Sequence, residues 1–473
     1  MKSNKTKTLC NRIPKMNAFF LLSMFFIISN ISCKKFLDKK SDSSLTVPTT
    51  LTDLQALLDD GDRLNKLTTP SIGEASADDY FILQSTYDVL TDVDKGFYKW
   101  TPKEYNYIND WSRGYGVVFT SNYCLEMLES IAVTSNNKSA WNNVKGAALF
   151  YRAYNFLNLT WNYAKAYDAA NSSTDLGIVL KTAADFNSES KRASVKECYE
   201  KIISDAKESI AYLPDIPQHV YRPSKVAAYG LLARVYLSMR LYDSAFKYAD
   251  SYLQIKSDLI DYNIQNTSDF STPSATFPFK IFNKETAFYT ENDMFVNSLP
   301  LVNSKADSIL YGTYVNNDIR KIAFFKPVGL YFRCTGSYSG SGNFFTGIAT
   351  DEIYLVKAEC LARGINGNPG NKTTSLNILN SLLVKRYAPP FTNITAIDAS
   401  DALDKILLER RKELIFRGLR WIDIKRLNKE GRNIIPRRLI NGQIYVLQPN
   451  ANYYAVPIPS DIISITGMPQ NPF

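Results

Sequence analysis

The chain has 473 residues, of which 45% are hydrophobic and 21% are charged, an ordinary balance for a globular protein with a substantial core. Five of its 55 basic residues lie in positions 1–32, which hold no acid, so the remaining chain carries 50 basic and 46 acidic residues. With no basic block or basic–aromatic pattern, the composition argues against a nucleic-acid-binding protein. The single histidine, His219, is too little for a histidine metal site or a catalytic triad, and we expect an exposed loop residue.

The N-terminal region has the pattern of an export signal. Lys15 precedes an apolar run of eleven residues, 18–28, which suits a signal-peptide core and is too short to span a bilayer. The following Ser-Asn-Ile-Ser-Cys, ending at Cys33, resembles a bacterial lipobox, in which the cysteine is lipidated. We predict a signal peptide over 1–32, lipidation at Cys33 and a polar tether over 33–50. A plain secretory signal is the alternative.

Helical patterns follow. Apolar residues in 51–59 recur at i, i+3, i+6 and i+7, which predicts a short helix. Trp111 and Tyr115 stand one helical turn apart at the start of a longer helical pattern, so we expect them in the core. Ser194 and Glu197 have the spacing of a capping box, which predicts that an amphipathic helix begins at residue 195.

Four residues in loop settings are our candidates for ligand binding. Pro102 disfavours a helix around Trp100, so we expect Trp100 to form an exposed platform, with a buried loop anchor as the alternative. Asp78 and Asp79 lie in an acidic stretch that could bond to hydroxyl groups. Tyr338 lies in a Gly- and Ser-rich loop that could close over a ligand or could be a plain connector.

The helices of the middle region favour a repeat architecture. Leu232, Ala233, Tyr236 and Ala245 have the relative spacing of a tetratricopeptide repeat, in which small residues allow two helices to approach closely. Tyr252 replaces the late alanine of that repeat, so unrelated antiparallel helices are the alternative. Two further stretches have the same character: residues 144–168 and 352–363.

Residues 255–350 are rich in Ser, Asn, Thr, Gly and Phe and show little helical period. A stretch of this length without regular structure is usually functional or disordered. Within it, Asp318 and Arg320 form an Asp-x-Arg pair that we interpret as a structural clamp. The cysteines beyond the predicted lipidation site have no metal-binding spacing, and we expect buried free thiols. These are Cys124, Cys198, Cys334 and Cys360.

Residues 409–426 contain the strongest pattern in the chain. Charged and large apolar side chains alternate too closely for one polar and one apolar helix face, so several charges must lie near the core, where they need partners. Glu409 and Lys412, like Arg410 and Glu413, have i,i+3 spacing. Gly418 allows the backbone to turn. We predict a buried, charge-paired segment without a catalytic centre.

The same segment resembles the C-terminal signature of SusD/RagB-type outer-membrane nutrient-binding lipoproteins. The matching residues are Glu409-Arg410-Arg411, Glu413-Leu414, Gly418, Arg420-Trp421-x-Asp423 and Arg426. The resemblance implies a mostly α fold, with tetratricopeptide-like helix pairs as a scaffold and an irregular ligand-binding portion, in one domain over 51–473. It also implies outer-membrane localisation through a lipid anchor, glycan capture without a cofactor, and a SusC-like TonB-dependent transporter as partner.

Other functions remain open at this level. A secreted hydrolase would need paired carboxylates, and Asp78/Asp79 or Asp92/Asp94 are available, but no nucleophile motif accompanies them, so we expect no enzyme. An assembly scaffold built of tetratricopeptide helices would bind a protein partner and no small ligand. A peptide in place of a glycan is a further alternative, because the sequence does not identify the ligand.

Overall fold

Packed helix pairs form most of the architecture. A computed structural model describes residues 48–472; the predicted signal peptide, the lipidation site Cys33 and most of the predicted tether lie outside this range. Residues Thr50–Phe473 form one compact unit. Within the described residues, no helix combines the length and the apolar character needed to cross a membrane.

The helices, in chain order, are α1 (Leu51–Leu58), α2 (Gly61–Leu64), α3 (Ile72–Ser76), α4 (Gln84–Val89), α5 (Asp92–Tyr98), α6 (Asp110–Glu129), α7 (Lys138–Tyr163), α8 (Val195–Ile210), α9 (Lys225–Ser238), α10 (Tyr242–Ile255), α11 (Ser308–Gly312), α12 (Arg320–Ala323), α13 (Thr350–Arg363), α14 (Lys372–Leu383), α15 (Ala399–Glu413), α16 (Arg420–Asn428) and α17 (Ser460–Thr466). The strands are β1 (Tyr80–Ile82), β2 (Leu176–Val179), β3 (Arg192–Ser194), β4 (Thr286–Phe288), β5 (Ser304–Ala306), β6 (Phe325–Val328), β7 (Tyr331–Cys334), β8 (Ile348–Ala349), β9 (Arg437–Ile440) and β10 (Gln443–Val446).

Capping side chains explain where several helices begin. Ser194 and Glu197 form the predicted capping box of α8, in which each side chain accepts a hydrogen bond from the other residue's backbone N–H. Thr50 and Asp53 make the same exchange at the start of α1. These bonds satisfy N–H groups that a helix leaves without partners in its first turn.

Successive helices pack as pairs from α6 to α10, and α13 continues the array between α10, α14 and α15. Leu232, Ala233 and Ala245 are fully buried between α9 and α10, and Tyr236 stacks on Tyr248 with ring centroids 5.6 Å apart. The small residues therefore allow the close approach that their spacing predicts. The predicted mostly α, tetratricopeptide-like fold is confirmed.

Residues 255–350 are irregular, as predicted, and contain only short elements. Antiparallel two-stranded pairs stabilise this region: β1 pairs with β5, β4 with β8, and β6 with β7. Aromatic side chains provide its core, with the ring of Tyr262 stacked on Phe270 at 5.1 Å and packed against Phe279 at 5.2 Å. Buried rings and short strand pairs thus replace helix packing here.

The signature residues form a buried ion-pair network between α12 and α15. The guanidinium of Arg320 lies 2.8 Å from Asp318, 2.5 Å from Glu409 and 2.9 Å from Glu413. Arg386 binds the other oxygen of Glu413 at 2.6 Å. These side chains are almost wholly buried, so the predicted clamp and the predicted charge-paired segment are both confirmed.

A second part of the network connects α15, α16 and α13. Asp423 accepts hydrogen bonds from Arg410 at 2.8 Å and from Arg426 at 2.7 Å, and Arg426 also binds Glu359 at 2.6 Å. Arg410 thus pairs with Asp423 in α16, whereas Lys412 binds Glu409 at 2.8 Å as its spacing predicts. The left-handed backbone at Gly418 (φ +73°) makes the turn from α15 into α16.

The minor sequence predictions are confirmed. The four cysteines Cys124, Cys198, Cys334 and Cys360 are buried and free, and burial raises the pKa of Cys198 to about 11. A raised thiol pKa makes these residues inert apolar side chains. His219 is an exposed loop residue.

The network predicts a large stability loss on removal of one partner. We expect Glu413→Gln to lower the free energy of unfolding by about 3–5 kcal/mol, because Arg320 and Arg386 would each lose a buried charge partner. Urea unfolding measures this loss. The control is Lys405→Ala, which breaks the half-exposed pair with Asp401 on the same helix and should cost under about 1 kcal/mol. Equal effects of the two variants would contradict the prediction.

Candidate functional site

The predicted binding acids Asp78 and Asp79 are engaged in ion pairs with α15 and α16. Asp78 accepts hydrogen bonds from Arg420 at 2.6 and 3.0 Å, and Asp79 accepts one from Arg411 at 2.8 Å. Burial alone would raise the pKa of Asp78, but Arg420 and Arg411 hold it well below its usual value. The two acids therefore join the N-terminal segment to the signature helices.

Trp100 lies beside the same segment and is buried, with 8% of its surface exposed. Its indole N–H donates to the carbonyl oxygen of Ser76 at 3.0 Å, and the guanidinium of Arg438 lies 5.2 Å from its ring centre. The expectation of an exposed platform is wrong. Trp100 is the buried loop anchor, because Arg438 and the end of α3 enclose the ring.

Tyr338 lies apart from these residues and is also buried, with 1% exposure. Its hydroxyl donates to Glu285 at 2.8 Å, and the guanidinium of Arg417 lies 4.7 Å from its ring centre. The expectation of a mobile loop that closes over a ligand is wrong for this side chain, which is fixed from both sides. Trp100, Asp78 and Asp79 share one neighbourhood, and Tyr338 does not belong to it.

An open cavity of about 270 Å³ lies elsewhere, between one face of α6, the loop after β2 and the C-terminal helix α17. Its volume is just below the range of about 300–1,000 Å³ typical of ligand pockets. We call it the α6 cavity. Its lining residues are Trp111, Tyr115, Val118, Phe119, Asn122, Val179, Lys181, Ala183, Asp185, Phe186, Ser190, Ile462, Thr466 and Met468.

Aromatic rings form much of the α6 cavity wall. Trp111 and Tyr115, predicted as core, contact each other with ring centroids 4.8 Å apart, and Trp111 is buried. At the opening, Phe186 stacks on Phe119 with centroids 4.4 Å apart and planes 23° apart. Phe186 is 82% exposed, so one face of its ring is available to a ligand.

Hydrogen bonds from α6 hold the loop that carries Phe186. The amide of Asn122 donates to the carbonyl oxygens of Lys181 at 2.9 Å and Ala183 at 3.2 Å, and Glu126 accepts from the N–H of Ala184 at 2.7 Å. Arg152 in turn donates to the amide oxygen of Asn122 at 3.0 Å, which fixes the orientation of that amide. The loop is therefore positioned by the helical scaffold.

Phe186 and the α6 cavity were not predicted from the sequence. The available signal was a single Phe within a polar stretch, Thr-Ala-Ala-Asp-Phe-Asn-Ser-Glu-Ser, over residues 182–190. Such a residue has no apolar neighbours at helix or strand spacing with which it would form a buried face. Among the described residues, no group of three or more His, Cys, Asp or Glu side chains is arranged to hold a metal ion.

Comparisons with known proteins agree with this architecture. A family model described as starch-binding and associating with the outer membrane matches residues 35–237, and the model of the SusD family matches residues 337–473. No curated protein sequence matches the chain significantly. The second match includes the whole signature segment.

Solved structures share the fold. A SusD superfamily protein from Bacteroides thetaiotaomicron VPI-5482 is 21% identical, with a TM-score of 0.72 over 90% of this chain and 100% of that chain. A putative sugar binding protein from Bacteroides vulgatus ATCC 8482 is 21% identical, with a TM-score of 0.73 over 90% and 99%. A SusD-like carbohydrate binding protein from Bacteroides fragilis NCTC 9343 is 15% identical, with a TM-score of 0.63 over 88% and 98%.

The helix-pair scaffold, the irregular middle region and the buried signature network define a class of helical-repeat protein with an attached loop-rich portion. The two family models together match most of the chain, and they place it within that class. The chain belongs to the SusD/RagB family.

Glu74, close to Asp78 and Asp79, makes the stability of the fold depend on pH, and its pKa determines the direction of that dependence. Burial, followed by the charge of Asp79, raises the pKa of Glu74 to about 8 from its ordinary 4.5, although it accepts a hydrogen bond from the N–H of Gly418 and lies near Arg420. Between these values the folded chain holds a proton that the unfolded chain has lost. The stability that protonated Glu74 contributes is therefore fully present below the pKa that this group has in the unfolded chain. It is lost as the pH rises through 8.

We expect Glu74→Gln to weaken this dependence, since an amide cannot titrate. Thermal unfolding between about pH 5 and pH 9 should show the variant gaining in melting temperature relative to the unmodified protein as pH rises. Glu129→Gln, at the exposed end of α6, is the matched control and should leave the profile unchanged. A constant difference between Glu74→Gln and the unmodified protein across the pH range would contradict the assigned pKa.

Proposed function

We propose that the protein is a glycan-binding lipoprotein of the outer membrane that delivers its ligand to a SusC-like TonB-dependent transporter. The observation that carries the proposal is the extent of the SusD fold, which spans 90% of this chain and 99% of a structure described as a putative sugar binding protein. The family model that matches the N-terminal half is described as starch-binding and associating with the outer membrane.

The N-terminal sequence supports a lipid anchor. The apolar run and the lipobox-like segment before Cys33 fit export followed by acylation. An acyl chain holds a protein at the membrane through apolar burial, at about 0.8 kcal/mol per CH₂ group. A lipid anchor agrees with the family model that is described as associating with the outer membrane. The partnership with a transporter is inferred from family membership.

We place the sugar-binding surface at the α6 cavity. Sugar rings present apolar C–H faces that stack on aromatic side chains, while their hydroxyl groups bond to polar groups nearby. The exposed face of Phe186 supplies a stacking surface, and Asp185 and Ser190 supply polar atoms at the same cavity. Its volume suits a small saccharide or the end of a longer chain.

A thermal-shift screen tests the function. The chain without residues 1–33 is mixed with polysaccharides, oligosaccharides and peptides, because a ligand that binds only the folded state raises the melting temperature as its concentration rises. A response to one glycan class supports the proposal and identifies the ligand. A response to peptides alone, or to no small ligand together with capture of a protein partner, would favour the peptide-binding or scaffold alternatives. Release of shortened sugars would show a hydrolase.

The α6 cavity is tested with a glycan that the screen identifies. We expect Phe186→Ala to weaken binding about tenfold, since loss of a stacked ring removes on the order of 1–1.5 kcal/mol. Isothermal titration calorimetry measures the change. The control is Leu330→Ala, which removes an even more exposed apolar side chain, 92% exposed, at the turn between β6 and β7. Unchanged affinity in Phe186→Ala would exclude this surface.

A role for Trp100, Asp78, Asp79 and Tyr338 in binding stays a prediction, and the same glycan tests it. Trp100→Phe keeps an aromatic ring and removes the indole N–H that binds Ser76. We expect unchanged affinity if the ligand binds at the α6 cavity, since Trp100 is buried. Weaker binding by Trp100→Phe with normal binding by Phe186→Ala would place the ligand at the N-terminal acidic segment instead.

A further inference from the structure

A small internal cavity lies beneath Trp421, the tryptophan of the signature segment. Its volume is about 10 Å³, which is close to the space that one water molecule requires and too small for two. It lies between α3 with the residues just before it, α7 and the turn into α16. The lining residues are Thr69, Pro70, Gly73, Glu74, Asn158, Trp161, Asn162, Gly418, Trp421 and Ile422.

Four polar side-chain atoms of this lining are buried and lack a hydrogen bond of normal geometry within the protein. One of them, the indole Nε1 of Trp161, lies close to the hydroxyl of Tyr199, which leaves three. They are Oε1 of Glu74, Oδ1 of Asn162 and the indole Nε1 of Trp421. The residues that carry them are 2%, 7% and 2% exposed. A buried polar atom without a partner is destabilising by about 1–3 kcal/mol, so three around one cavity require an explanation.

Other bonds fix two of these groups in place. The second carboxylate oxygen of Glu74 accepts from the N–H of Gly418 at 2.9 Å, and the amide nitrogen of Asn162 donates to the carbonyl oxygen of Asn158 at 2.8 Å. The ring of Trp421 is stacked on Tyr454, with centroids 4.8 Å apart. None of the three can turn away to find a partner without breaking an existing contact.

The absence of a side chain at Gly73 keeps the space between these groups open. A Cβ atom added there would lie 2.6 Å from Oδ1 of Asn162 and 3.0 Å from Cδ1 of Trp421, the ring carbon bonded to Nε1. The amide oxygen and the indole edge therefore approach the same side of Gly73. Any larger residue would close the space between them.

We propose that this cavity is a binding site for a single structural water molecule, which joins α3, α7 and α16. The water would donate hydrogen bonds to Glu74 Oε1 and Asn162 Oδ1 and would accept one from Trp421 Nε1. Three such bonds are typical of buried water. A cation does not fit, because the indole N–H is a donor, and an anion does not fit, because two acceptor oxygens face it.

The proposed water molecule fits the three polar atoms whether or not Glu74 is protonated. With its pKa raised to about 8 by burial and by Asp79, the carboxyl group carries a proton at neutral pH. If that proton is on Oε1, the water accepts from Glu74 and from Trp421 and still donates to Asn162 Oδ1. The site thus uses the ability of water to both donate and accept hydrogen bonds, which a monatomic ion does not share.

A crystal structure of the unmodified chain without residues 1–33, at about 1.8 Å or better, tests the proposal directly. We expect an isolated density peak with distances of about 2.7–3.2 Å to all three atoms. Two results would overturn it: no density at this position, or an indole N–H bonded directly to Asn162 or Glu74. Neither result depends on glycan binding.

Solution NMR provides a second test, with Trp141 as the reference. Trp141 is half-buried, and its indole nitrogen also has no protein partner, but it does not line this cavity. With ¹⁵N-labelled protein, we expect the Trp421 indole proton to show a cross-peak to a long-lived water and to exchange at least tenfold more slowly than that of Trp141. Trp421→Phe should remove the cross-peak and lower the melting temperature. Rapid exchange of the Trp421 proton without a water contact would refute the site.

Discussion

The buried pairing of Glu413 with Arg320 and Arg386 is the interaction on which the architecture depends. Each arginine loses its hydration in the interior and can remain there only with charged and hydrogen-bonding partners. Arg320 belongs to the irregular region, Arg386 follows α14, and Glu413 ends α15. A short antiparallel bridge between Asp318 and Tyr387 already joins the first two segments, and the network connects both of them to the end of α15. Its geometry specifies one arrangement of the loop-rich portion against the helices, because any shift would leave a buried charge unpaired.

Local rules made the scaffold predictable. The capping box at Ser194 and Glu197 and the spacing of Ala233 and Ala245 each depend on residues close in sequence, and the structure uses them as expected. The pairing of Lys412 with Glu409 is of the same kind. Even the burial of the signature charges could be inferred, because no helix surface separates such closely alternating residues into two faces.

The exposure of individual loop side chains was less predictable, since it is decided by residues distant in sequence. Trp100 is covered through Arg438, more than three hundred positions away, and Tyr338 is held by Glu285 and Arg417. A loop context alone gave no sign of these partners. The α6 cavity is likewise assembled from α6, the loop after β2 and α17, and no stretch of sequence contains more than part of its wall.

The attachment of the loop over residues 181–190 has a consequence for how binding preference can change. Asn122 and Glu126 hold this loop through its main-chain carbonyl and N–H groups. Within the loop, the side chains of Lys181 and Asp185 bind further main-chain groups. The side chain of Phe186 takes no part in these hydrogen bonds, so its replacement leaves the attachment of the loop intact. Under the proposed function, substitution of Phe186 would change the surface on which a saccharide stacks and would leave the distant ion-pair network unaltered. The proposed recognition surface and the buried ion-pair network are therefore formed by separate sets of residues.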